Sequence, residues 1–215
     1  MGDYQVPFIA VEGPIGVGKT SLSNKIAKHF YFHLLKEIVE ENPFLGKFYD
    51  NIEEWSFQTE MFFLCNRYKQ LEDIEKHYLK QNKPVVSDYH IYKNMIFAKR
   101  TLSDDQFNKY EKIFHILTDD RPKPNVMIYL HASLDTLLNR IRMRGREVEK
   151  NIQPEYLEQL SRDYDQFMDD FERDNPDIPV IRLNGDELDF IKHQEDLDYI
   201  LEVVEKHIEK GEVVT

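Results

Sequence analysis

One cysteine, Cys65, stands in a chain of 215 residues, so an internal disulfide is excluded and a reducing compartment fits. It falls in the apolar stretch 61–65, where an inert, buried thiol is expected. Apolar runs are short. None approaches the roughly 20 residues that a membrane span needs. Positive charge is also scarce, with 28 Lys and Arg against 40 Asp and Glu, a net charge of −12. Such a chain is repelled by nucleic acid and by anionic lipid, so neither is an expected partner. A strand opening near Val6 leaves no room for a signal or transit peptide. Val6 also stands where N-myristoylation after Met1-Gly2 would need Ser or Thr. The expected location is cytoplasmic. Internal repeats, low-complexity tracts and Gly/Ser linkers are absent, so residues 1–215 are expected to form a single domain. Glycine is rare, at eight, yet three of the eight fall within residues 13–18.

What is present alternates. Short apolar runs at 6–12, 33–37, 83–87, 125–131 and 178–183 are separated by longer stretches of helical pattern. Near-continuous apolar strands between helices predict a parallel sheet of about five strands covered on both faces. Helices are expected over 52–79, from Ser103 with its Gln106 capping partner to the prolines 122 and 124, from Ser133 to Arg144, and over 154–173 and 193–209. The fold class is α/β, and ligands in such sheets sit at the carboxyl ends of the strands.

The glycine cluster reads Gly13-Pro14-Ile15-Gly16-Val17-Gly18-Lys19-Thr20, followed by Ser21. It matches G-x-x-x-x-G-K-[ST] between a strand and a helix, the context that a phosphate-binding loop requires. Backbone N–H groups and the helix N-terminus attract phosphate oxygens. Lys19 then serves the β- and γ-phosphates of ATP, and Thr20 offers a hydroxyl to Mg²⁺. Asp88 ends the third strand, where a carboxylate orients Mg²⁺ or its water shell, or else caps a turn. Arg140, Arg142, Arg144 and Arg146 crowd into seven residues of an acidic chain, with Arg140 and Arg144 on one helix face. Gly145 stops that helix. Downstream of a phosphate loop, the cluster reads as an Arg-rich lid at about 140–152, suited to the charge of a transferring phosphoryl group.

The order of these segments, together with Glu37, Tyr49, Trp55, Arg67, Ile96-Phe97 and residues 186–190, resembles the deoxynucleoside kinases over most of the chain. Within them the similarity points to the bacterial deoxyguanosine kinases. The resemblance implies a P-loop kinase fold, ATP as donor, a small deoxynucleoside as acceptor and a homodimer. It implies that Glu37 is the general base for the 5′-hydroxyl, that Tyr49 and Glu149 hold the 3′-hydroxyl and that Phe97 stacks on the base. It further implies that Arg144 and Arg146 stabilise the transferring group and that the stretch with Asp186 and Glu187 lines the adenine of ATP. A carboxylate such as Glu37 can stand beside a neutral nucleoside and would repel a nucleoside monophosphate. Without the resemblance, Glu37 reads equally well as one surface acid among Glu37, Glu40 and Glu41. The chain departs from the family at one point. The arginine usual after the acid of the third strand is replaced by Tyr89, which leaves Glu37 and Asp88 both open as the base.

The base reader is counted along the long helix. The family's Gln lies seven residues before its Arg; counting back from Arg67 selects Glu60 rather than Gln58, and a seven-residue spacing keeps both on one face. An ionised carboxylate only accepts hydrogen bonds, and guanine offers the adjacent donors N1–H and 2-NH₂. Arg67 suits guanine O6 and N7. Asn94 stands where many relatives have Asp. Deoxyguanosine is therefore the expected acceptor. The open alternative pairs Glu60 with Arg67 and gives the reading to Gln58, which would favour deoxyadenosine or deoxycytidine. More distant rivals are a nucleoside monophosphate kinase and a nucleotide switch, and the N-K-x-D element of a guanine switch is missing.

Overall fold

The computed structural model describes residues 6–38, 42–150 and 152–211; Glu40, Glu41 and position 151 of the expected lid lie outside the described residues. The strands are β1 (Phe8–Glu12), β2 (His33–Leu35), β3 (Val85–Ser87), β4 (Val126–His131) and β5 (Val180–Asn184). Each overlaps its expected apolar run, with ends that differ by at most two residues. They form a parallel sheet in the order β2-β3-β1-β4-β5. β1 is central and wholly buried, and its side chains alternate as strand geometry demands. Ile9 and Val11 pack into one apolar cluster with Leu22, Leu137, Ile200 and Val204. Phe8 and Ala10 point the other way, toward Leu64, Leu71 and Tyr110, and toward Tyr129, Tyr164 and Met168.

The helices are α1 (Lys19–Phe30), α2 (Leu45–Asp50), α3 (Ile52–His77), α4 (Lys93–Thr101), α5 (Asp104–Thr118), α6 (Leu134–Arg144), α7 (Pro154–Asp174) and α8 (Gln194–Gly211). α1, α6 and α8 cover the face of Ile9, and α3, α4, α5 and α7 the other. The sheet thus has helices on both faces, as its apolar strands require. Local signals set the helix ends. The Ser103/Gln106 capping box opens α5, Ser133 accepts from the Thr136 N–H at the start of α6, and Gly145 closes α6 in the left-handed region at φ 67°. α3 stops at His77 rather than at 79. There Tyr78 leaves helical geometry and stacks on His33 of β2, with ring centroids 3.7 Å apart. Among the described residues, no helix is long and apolar enough to cross a membrane.

Two helices were not expected. α2 and α4 both start without a side-chain cap, so the usual sequence signal is missing. One expectation is overturned: Cys65 is exposed. α3 buries Glu60, Phe63, Leu64, Arg67 and Leu71, and the 100° step per residue turns Cys65 away from that face. An apolar stretch in the sequence does not bury every member of a one-faced helix.

Candidate active site

The loop between β1 and α1 is shaped by glycines that no other residue could replace. Gly13 has φ 145°, and a Cβ there would lie 2.1 Å from the Leu130 carbonyl oxygen on β4. Gly16, at φ 86°, would meet Ile141 at 2.7 Å. The loop therefore lies directly against β4 and α6. Lys19 folds over it, donating to the carbonyls of Gly13 (2.7 Å) and Pro14 (3.0 Å). Burial first, and then the nearby Lys93, lower the Lys19 pKa to about 8.

A cleft of about 660 Å³ runs from residues 15–21 of this loop across the carboxyl ends of the strands. It brings together most of the expected site: Glu37, Tyr49, Glu60, Arg67, Asp88, Phe97, Arg140, Arg144, Arg146 and Glu149. Gly13 and Pro14 lie beneath it and hold Lys19.

Asp88 and Glu37 form one unit. Asp88 Oδ2 accepts from the Thr20 hydroxyl at 2.6 Å, and its Oδ1 accepts from the Glu37 backbone N–H at 2.7 Å. A hydroxyl and one carboxylate beside a phosphate loop fit a Mg²⁺ that takes most of its oxygens from phosphates and water. Among the described residues no group of three or more His, Cys, Asp or Glu gathers as an all-protein cage. The Glu37 carboxylate is bound by Arg67 and by Lys93 Nζ at 3.0 and 2.9 Å. Burial alone would raise its pKa, but Lys93, Arg67 and Lys19 together hold it well below the usual carboxylate range.

Glu60 is 2% exposed, with Oε2 lacking a hydrogen-bond partner, whereas Gln58 faces solvent. The helical count along α3 thus selects the residue in the cleft. Burial raises the Glu60 pKa to about 8, against the opposing pull of Arg67 and Lys93. Burial thus opposes the ionised form of Glu60 that an acceptor-only role needs. Arg67 donates to Glu37 and to Asn94 Oδ1 (2.7 Å), leaving its Nε without a partner. Asn94 is not on the cleft wall. It sits behind Arg67, fully buried, and donates to the Tyr110 hydroxyl at 2.7 Å.

In the lid, Arg144 forks onto Glu149, and Arg146 approaches the same carboxylate at 3.6 Å. Arg140 is a strut instead, donating to the carbonyls of Val17 (2.7 Å) and Gly185 (2.8 Å). It ties the phosphate loop to the turn after β5. Asp186 and Glu187 do not line the cleft. The Asp186 carboxylate accepts from the N–H and hydroxyl of Ser133, anchoring the turn to α6. The next five residues, 188–192, form that wall. Two buried groups were missed by the sequence reading. Lys93 opens α4 with no motif to mark it, and Glu12 ends β1, accepting from the His90 N–H at 2.5 Å. A charge at the end of an otherwise apolar strand was the one signal for Glu12.

Residues 9–209 match the family model described as deoxynucleoside kinase. The chain is 57% identical over 194 residues to a deoxyguanosine kinase of Bacillus subtilis, covering 90% of this chain and 94% of that protein. It is 31% identical to a deoxyadenosine/deoxycytidine kinase of the same organism, covering 95% of each. A solved deoxyadenosine kinase from M. mycoides with bound dCTP superposes with a TM-score of 0.77 at 27% identity, covering 93% of this chain and 99% of that one. A phosphate loop and an acidic pair at the strand ends, together with a match spanning nearly the whole chain, lead to one conclusion: the chain belongs to the deoxynucleoside kinase family.

Proposed function

We propose that the protein transfers the γ-phosphoryl group of ATP to the 5′-hydroxyl of deoxyguanosine, giving dGMP and ADP in nucleoside salvage. The observation that carries the guanine assignment is the pair Glu60 and Arg67, both buried and two turns apart on one face of α3 in the cleft wall. Once deprotonated, Glu60 accepts from guanine N1–H and 2-NH₂, a pairing that adenine and cytosine do not offer. The similarity to a deoxyguanosine kinase supports the same reading. Asn94 acts through Arg67, holding its guanidinium from behind.

The P-loop, braced by Arg140, holds the triphosphate end of ATP, and residues 188–192 flank it in place of Asp186 and Glu187. Tyr49 and Glu149 hold the 3′-hydroxyl, Phe97 lies on the base, and Arg144 and Arg146 face the transferring group. Glu37 takes the hydroxyl proton. Asp88 is assigned to the metal side instead, since its Oδ2 accepts from the Thr20 hydroxyl, the other group that would meet Mg²⁺. Mg²⁺, held by phosphates with Thr20 and Asp88 beside it, neutralises phosphate charge when bound.

A second reading has one observation in its favour. A protonated Glu60 presents a donor beside an acceptor, as Gln does, and so fits adenine. Initial rates with Mg·ATP and each of the four deoxynucleosides decide the matter. A strong preference for deoxyguanosine, moving toward deoxyadenosine in Glu60→Gln, is expected. Equal use of deoxyadenosine by the wild type, unchanged in the variant, retires the guanine assignment.

A further inference from the structure

Glu37 carries more positive charge than an ion pair needs. Arg67 already binds its carboxylate, and both partners are largely buried, at 5% and 11% side-chain exposure. Lys93, at 6% exposure, adds a second cation that bridges both carboxylate oxygens. Burying an ammonium is costly unless its partners repay it, and Lys93 lies within electrostatic reach of Glu12 and Glu60 as well as Glu37. Helix energetics do not explain the placement. Lys93 is the first residue of α4, the end where the helix dipole disfavours a cation. Lys93 instead lines the cleft, with its ammonium on the Glu37 carboxylate.

The surroundings say which part of the cleft. The Lys93 ammonium lies 5.5 Å from the centre of the Phe97 ring, on the nucleoside side. On the other side it lowers the Lys19 pKa, so it is within electrostatic reach of the phosphate loop. It stands between base pocket and phosphate site, beside the group that receives the hydroxyl proton. Tyr89, where the family's arginine is usual, brings no charge of its own: its ring stands 5.7 Å from the Arg67 guanidinium, and its hydroxyl donates to Gln70 at 2.7 Å.

We propose that Lys93 is a positioning residue for phosphoryl transfer, its ammonium clamping both oxygens of Glu37 toward the acceptor hydroxyl and supplying, from α4, the positive charge that Tyr89 cannot. The inference rests on Glu37 being the proton acceptor. In the transfer the bond from O5′ to the γ-phosphorus forms, the bond from that phosphorus to the β–γ bridging oxygen breaks, and the hydroxyl proton passes to Glu37. Lys93 exchanges no proton. It fixes the carboxylate and opposes the negative charge that spreads over the transferring oxygens.

The test is steady-state kinetics on Lys93→Met and Lys93→Arg, beside Glu37→Gln, with Mg·ATP-analogue binding and a thermal melt for each. Lys93→Met is expected to lose on the order of 100-fold in kcat, the scale of a misplaced catalytic group, with the deoxynucleoside KM and the analogue affinity changed less than threefold. Lys93→Arg is expected to recover most of that loss. Should Lys93→Met fail to fold, Lys93→Gln is read in its place. Wild-type kcat in the uncharged variant, with Glu37→Gln inactive, overturns the Lys93 inference alone. A loss of kcat that tracks lost analogue affinity and melting temperature, with no recovery in Lys93→Arg, also overturns it. Full activity in Glu37→Gln overturns the proton-acceptor reading and the Lys93 inference together.

Discussion

Glu60 is a residue whose place the sequence suggests and whose acidity burial changes. The sequence places a carboxyl seven residues before Arg67, and burial then decides its proton. Its pKa rises from an ordinary 4.5 to about 8 in the folded chain. Between those values the folded protein holds a proton that the unfolded chain has released, so this group's contribution to stability falls as pH rises through that window. Guanine needs the deprotonated form. Deoxyguanosine binding at pH 6.5 is therefore expected to release close to one proton and to tighten as pH approaches 8. Calorimetry in buffers of different ionisation enthalpy reads the proton directly, and a binding enthalpy independent of buffer would remove Glu60 from base reading. Lys93 was beyond the sequence for a different reason. A lone lysine between Tyr92 and Asn94 looks like any solvated charge until α4 turns it onto Glu37.

At the scale of elements, the phosphate loop works because β1, β4 and α6 meet around it. Gly13→Ala would set a methyl 2.1 Å from the Leu130 carbonyl at a φ that alanine resists. A loss of more than about 1 kcal/mol in stability, together with lost ATP binding, is expected. A denaturant melt within error of the wild type would show that the loop can shift away. Arg140 belongs to this scale too. It joins the loop at Val17 to the turn at Gly185, so Arg140→Ala is expected to raise the KM for ATP roughly tenfold, about the loss of one or two hydrogen bonds from a charged donor. The KM for the deoxynucleoside should move much less. An equal rise in both would argue that Arg140 supports the whole cleft rather than its ATP end.

At the scale of the whole molecule, α3 carries the open question of assembly. Phe63 and Leu64 are buried in the chain, while Met61 and Phe62 are half-buried and Cys65 is exposed. The family resemblance predicts a homodimer, and light scattering is expected to return twice the mass of the chain. A single-chain mass across the micromolar range would retire that expectation.

The strands, their parallel pairing, the phosphate loop and the capped helices follow from the sequence, because each is a local pattern: an apolar run, a glycine spacing, a serine before a helix. The placing of Glu60 rather than Gln58 on the cleft face also follows, from the spacing that the family resemblance implies and the 3.6-residue period that agrees with it. Tertiary structure alone decides what depends on neighbours distant in the chain. It turns Cys65 outward and withdraws Asn94 behind Arg67. It commits Asp186 to Ser133 and gives the cleft wall to residues 188–192. It also sets the charge states of Glu37 and Glu60, two carboxyls within reach of the same cations. Lys93 and Arg67 pull the Glu37 pKa down, while desolvation pushes that of Glu60 up. That difference depends on which partner each side chain meets in space, and a sequence does not carry it.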